Sequence, residues 1–97
     1  MAAYLVANYR ITDPEAYGAY PPAVIPTLVA HGAEILVADY GSAMVEGTAS
    51  SVTIVVKFAS KEAARAWYDS PEYQAIIRLR TDNTEGFLLL TDGFVMP

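Results

Sequence analysis

The chain has 97 residues, enough for one domain around a single core, and carries six Lys and Arg against eleven Asp and Glu, a formal net charge of −5. Apolar residues make up 54% of it and charged residues 18%, which excludes a disordered chain, while the acidic balance disfavours nucleic acid and anionic membrane surfaces as partners. With no Cys and a single His, disulfides, thiolate nucleophiles and multi-His metal sites are excluded within one chain, so no metal or other cofactor is expected.

The start, MAAYLVANYR, lacks the basic lead and continuous apolar core of a signal peptide. No apolar run approaches the length of a membrane span, so the expected setting is soluble and cytoplasmic. AYLVANYRI (3–11) is rich in β-branched and aromatic residues and reads as a first strand. TDPEAY then opens a helix. Asp13 or Thr12 can accept from free backbone N–H groups, Pro14 suits the first helical position, and Glu15 complements the positive helix end. Tyr17, Tyr20, Val24, Leu28 and His31 recur every three or four residues, a core-facing helical stripe. Pro21, Pro22 and Pro26 interrupt it and predict a break near Tyr20–Pro22, with the second helical piece ending at Gly32.

AEILVADY (33–40) is the second strand, and GSAMVEGTASS is a turn-rich connection with a short strand at Ala43–Glu46. VTIVVKF (52–58), with its β-branched run, has the character of a central third strand, pairing with the second as an antiparallel hairpin. Ser60 caps KEAARAWYD, whose Ala63, Ala64 and Trp67 share a face. At Ser70-Pro71 the helical pattern restarts, because Pro71 turns Ser70 away from helical geometry and Ser70 can cap the next helical piece. Tyr73, Ile76, Ile77 and Arg80 form the next stripe, running to about Glu85–Gly86, and FLLLTDGFV (87–95) is the last strand.

The order β-α-β-β-α-β, with right-handed crossovers, places both helical layers on one face of a four-stranded antiparallel sheet. The expected fold is therefore a single α+β domain over residues 1–97, a ferredoxin-like sandwich. Every strand carries apolar groups on both sides, although a one-layer antiparallel sheet is expected to be polar on its free face. Leaving each such Leu or Val in water forgoes about 1.5–3 kcal/mol, so the expected partner is a second copy of the chain, sheet to sheet, in a homodimer.

AYLVANYRITDPEAY near the start, HG closing the first helical region, EG before the third strand and AWYDSPEYQ resemble the small bacterial proteins catalogued as domain of unknown function 1330, within the dimeric α+β barrel superfamily. The resemblance covers nearly the whole chain. It implies a ferredoxin-like subunit that dimerises through its sheets, and no particular activity. That family often carries a Trp and an Arg between its E-G and the third strand, where this chain has TASSV. Relatives in the superfamily include cofactor-independent monooxygenases, lactone isomerases, haem peroxidases and sensing domains, which share a cleft between sheet and helices.

His31 is the one side chain whose ordinary pKa lies near neutrality, hence the candidate general acid or base; a histidine in a last helical turn also serves simply to bond free carbonyls. Tyr17, Tyr20, Trp67, Tyr68 and Tyr73 can line an aromatic pocket for a flat apolar ligand, or be plain core. Asn8 and Arg10 lie on the same side of the first strand as Tyr4 and Val6, where a buried Asn8 needs a partner. Arg78 and Arg80 suit a carboxylate ligand, or a solvated face paired with Asp82 and Glu85.

These readings lead to a homodimer that binds a small apolar or aromatic molecule between helices and sheet, using Asn8, Tyr17, Tyr20, His31, Trp67, Tyr73 and Arg80 as candidate site residues. The rival is a cofactor-free monooxygenase or isomerase in which His31 moves the proton and Asn8 or Arg80 holds an oxyanion. A structural or interaction module without a cavity is the third possibility.

Overall fold

A strict period of two along β1 (Ala3–Ile11) sets the two faces of the molecule. Ala3, Leu5, Ala7 and Tyr9 are buried, whereas Tyr4, Val6 and Asn8 are half-buried and Arg10 is exposed. The computed structural model describes residues 1–97, and its remaining strands are β2 (Glu34–Asp39), β3 (Val52–Phe58) and β4 (Thr84–Asp92). They form one antiparallel sheet in the order β2-β3-β1-β4, the ferredoxin-like arrangement expected from the element order.

The helices sit where the sequence supplies caps. Asp13 accepts from the Ala16 N–H at 3.1 Å and starts α1 (Pro14–Tyr17). The chain breaks at Gly18–Ala19, slightly before the expected point, because Pro21 and Pro22 are accommodated in the first turn of α2 (Tyr20–Ala30), where no N–H is required. Ser60 accepts from Ala63 N–H and opens α3 (Lys61–Tyr68). Ser70 opens α4 (Pro71–Gln74) while donating its own hydroxyl to the Trp67 carbonyl at 2.7 Å. Bonds of the i→i+3 type at Ile76 and Leu79 carry the chain through a turn to α5 (Arg78–Thr81).

Three local expectations are corrected. The short strand at Ala43–Glu46 does not form; that segment is a loop, tied at its base by Ser42 N–H to the Ser51 carbonyl at 2.9 Å. The last helical segment ends at Thr81 rather than near Glu85–Gly86. Asn83 explains this, since its side chain donates to the Leu79 carbonyl at 2.9 Å while its own carbonyl accepts from Thr12 N–H at 2.8 Å. Thr84 therefore already pairs with Ile11, and β4 starts three residues ahead of the predicted Phe87 and ends at Asp92.

The core lies between the odd face of β1 and the helices, around Leu5, Tyr9, Val56, Phe58, Trp67 and Tyr73. The other sheet face has no covering layer. Register brings Val37, Val55, Val6 and Leu89 into one apolar row across all four strands. Val37 and Leu89 are 38% and 45% exposed there. The row Glu34, Lys57, Tyr4 and Thr91 on one side, and the row Asp39, Thr53, Asn8 and Phe87 on the other, flank it. No helix is long and apolar enough to cross a membrane.

Candidate functional site

The two helical layers cover the sheet unequally. α3 packs against β1, β3 and β4, whereas α2 approaches α4 most closely and stands off the strands. β2 is exposed along its whole length, and its register slips at Leu36, between Ile35 and Val37. Between α2 and the β2–β3–β1 half of the sheet lies a partly open cavity of about 100 Å³. Leu28 and Val24 of α2, Ile35 and Ala38 of β2, and Ile54 and Val56 of β3 supply apolar walls. Arg80 is the sole charged residue lining it, and Tyr9, Tyr17, Tyr20 and Tyr40 contribute their rings.

These phenols are linked to one another. Tyr9 and Tyr17 hydroxyls are 2.6 Å apart, and Tyr17 and Tyr40 hydroxyls 3.3 Å. Next to Tyr17, whose ring lies 5.7 Å from that of Tyr20, the Tyr20 and Tyr73 hydroxyls are 2.8 Å apart, and Arg80 Nε donates to the Tyr73 oxygen at 3.3 Å. Burial pushes the Tyr9, Tyr17 and Tyr20 phenols up from their ordinary value, so all three are neutral through the physiological range. Burial works against the Arg80 charge, but the neighbouring Tyr73 and Tyr20 oxygens more than offset it, and the group stays protonated.

The structure sorts the residues singled out in the sequence. Tyr17, Tyr20, Trp67 and Arg80 come together around the cavity. Tyr73 stands behind them, fully buried, its ring 4.1 Å from that of Trp67, so no gap separates those two rings. Trp67 is held by its indole N–H, which donates to Thr27 Oγ1 at 3.0 Å. Tyr68 packs on Trp67 outside the cavity.

Asn8 and His31 do not belong to the cavity. Asn8 projects from the opposite sheet face, where its amide donates to the Ser50 and Val52 carbonyls at 2.9 and 3.0 Å and its oxygen accepts from Ser50 N–H at 2.8 Å. It fastens the end of the β2–β3 loop to β1 and has no reach to the cavity. His31 is the C-cap of α2, with Nδ1 3.0 Å from the Thr27 carbonyl; since a carbonyl only accepts, Nδ1 carries the hydrogen. The stripe that predicted a core-facing His31 ends one turn earlier, at Leu28, because the helix stops and the backbone turns at that residue. Arg78 pairs with Asp82 at 3.1 Å on an exposed face.

Tyr9 and Tyr40 were missed. The alternation of β1 already places Tyr9 beside Leu5 and Ala7, so a stricter reading of that period finds it. Nothing local marks Tyr40, whose ring meets Tyr17 only through the tertiary fold. A second, larger groove of about 310 Å³ lies between α3 and β4, but its one charged residue, Arg65, is engaged by Asp69 at 3.4 Å and lies over the Tyr68 ring.

The chain matches the family described as Domain of unknown function (DUF1330) over residues 2–94. No curated protein matches it. Among solved structures it is similar to RPA0582, a protein of unknown function from Rhodopseudomonas palustris, at 15% identity and a TM-score of 0.78, covering 98% of this chain and 84% of that one. It is similar to HapK from Hahella chejuensis at 14% identity and a TM-score of 0.64, covering 98% and 95%. An antibiotic biosynthesis monooxygenase shares the fold at 13% identity and a TM-score of 0.56, covering 98% and 100%. At these identities the likeness is one of fold.

Proposed function

The chain belongs to the DUF1330 family, and from that premise we propose that it is a homodimer that binds a small, flat, apolar or aromatic molecule in the cleft between α2 and the sheet. The observation that carries this reading is the cavity itself. It has apolar walls, hydroxyl groups at fixed positions and is partly open, the usual composition of a small-molecule site. Its size is near that of engineered apolar cavities, about 150 Å³, that admit benzene.

The homodimer is supported by the free sheet face. The row Val37, Val55, Val6 and Leu89 offers an apolar strip whose border is polar except for Tyr4 and Phe87, which suits an identical sheet crossing it. Binding rather than turnover is what the groups in the cavity support. Phenols held neutral and a guanidinium held charged are poorly placed to take a proton at neutral pH.

Indole is a suitable neutral probe. In an amide NMR titration it is expected to shift residues of α2, β2 and β3 around the cavity, and Ala38→Phe, which fills the cavity from β2, is expected to abolish those shifts. Shifts scattered over the surface, or unchanged in the Ala38→Phe protein, would remove the ligand reading.

A further inference from the structure

We propose that the molecule taken into this cleft carries an anionic oxygen, a carboxylate or an enolate, that is bound by Arg80 and Tyr20. The inference rests on the cleft being a ligand site and specifies what enters it.

Arg80 is 8% exposed, yet it makes no ion pair; the four ion pairs of the chain use Arg10, Lys61, Arg65 and Arg78. A guanidinium taken out of water without a counter-ion is costly, and the site offers no carboxylate to balance it. Within the chain its guanidinium makes the long Nε contact to Tyr73, and the Tyr20 oxygen also lies close to it. No fully sealed side-chain nitrogen or oxygen lacks a partner, so the two terminal nitrogens are not fully sealed, and Arg80 lines the cavity. The N–H donors of the terminal nitrogens are thus largely left for something from outside the chain, in the fork that matches a carboxylate.

The phenols fix the polarity of the rest of the site. Tyr73 is wholly buried, and its oxygen already accepts from Arg80 Nε, which can only donate. Its own hydrogen has a single acceptor within reach, the Tyr20 oxygen at 2.8 Å. Tyr20 is then an acceptor towards Tyr73, and its O–H is free to point into the cavity that Tyr20 lines. Arg80 and Tyr20 therefore present donors only. A ligand with acceptors and a negative charge satisfies both; a neutral hydrocarbon leaves both unsatisfied. The remainder of the wall is apolar, which requires an organic body rather than an inorganic anion. The net charge of −5 also means that anions are not drawn to the protein in general, so anion binding here would be local in origin.

Benzoate, benzamide and toluene share one ring and differ in the group attached, and at neutral pH only benzoate is an anion. In NMR titrations of the full chain, benzoate is expected to bind about tenfold more tightly than benzamide, the size of effect that a hydrogen bond to a charged group supports. Arg80→Met should erase that preference while toluene binding persists, and Tyr20→Phe should reduce it with Arg80 intact. Equal binding of benzoate and benzamide by the unaltered protein, or a preference that survives both substitutions, would overturn the inference and leave the apolar pocket standing. If none of the three probes enters the cavity, the ligand site falls and the anion inference falls with it. Should Arg80→Met fail to fold, the comparison of probes on the unaltered chain and on Tyr20→Phe still decides.

Discussion

Tyr73 and Tyr20 place their hydroxyl oxygens 2.8 Å apart with their rings at 70°, and Tyr73 alone holds Arg80 Nε. The two phenols therefore carry unequal duties. Tyr73→Phe leaves a buried cationic N–H without an acceptor and also loses the bond to Tyr20, at a cost of about 3 kcal/mol, whereas Tyr20→Phe leaves only the neutral, buried Tyr73 O–H without an acceptor, at about 1 kcal/mol. Urea unfolding of the two variants measures the difference. A Tyr73→Phe protein no less stable than Tyr20→Phe would show that Arg80 does not depend on that oxygen.

The free sheet face makes a separate prediction. Leu89 sits at the β4 end of the apolar row and is 45% exposed. Leu89→Glu places a charge in that strip without disturbing the core on the opposite face. If the strip pairs with its copy, light scattering finds a dimer for the unaltered chain and a folded monomer for the variant. A folded monomer in the unaltered chain at micromolar concentration contradicts the sheet-to-sheet assembly.

Much of this architecture was legible because it is written locally. Asp13, Ser60 and Ser70 each sit one residue before a helix and each accept a backbone N–H, so the caps found in the sequence are the caps in the fold. β1 and β3 match their expected bounds because β-branched and aromatic runs determine them. What was not legible depends on distant partners. The start of β4 is decided by Asn83 bonding both Leu79 and Thr12. Asn8 was a fair candidate for a site until the fold showed which sheet face carries the helices. The cleft follows from α2 standing away from β2, a spacing that no residue pattern encodes. The stripe shared with Tyr73, Ile76 and Ile77 already separated Arg80 from Arg78, but its burial against Tyr73 shows only in the fold, where Arg78 is exposed and paired.

Gly86 was expected to close a helix and instead sits inside β4, opposite Tyr9. A Cβ there would press into the Asn8 carbonyl oxygen and lie 2.5 Å from Cα of Tyr9, backbone atoms that cannot swing aside. Gly86→Ala is therefore expected to destabilise the chain by about 3 kcal/mol and to loosen the β1–β4 ladder near Tyr9. Loss of amide-exchange protection at Tyr9 and neighbouring residues is the local signature. Unchanged stability would mean that β4 can retreat from β1 at no cost.

The buried phenols predict how the fold responds to alkali. Burial raises Tyr9, Tyr17 and Tyr20 above the ordinary value of 10.0, so the folded state holds their protons more tightly than the unfolded state does. The sign is set by linkage. Below pH 10.0 both states are protonated and these groups contribute no pH dependence; above it the unfolded chain ionises first and stability falls as pH rises. Spectroscopic titration of the seven tyrosines should thus leave a slow fraction that ionises only as near-ultraviolet dichroism is lost. Tyr17→Phe is expected to flatten the alkaline decline, because its phenol is held protonated both by burial and by its bonds to Tyr40 and Tyr9. An alkaline midpoint that Tyr17→Phe does not move would mean that the cluster opens before it titrates, and that the cleft between α2 and the sheet is looser than its hydroxyl spacings require.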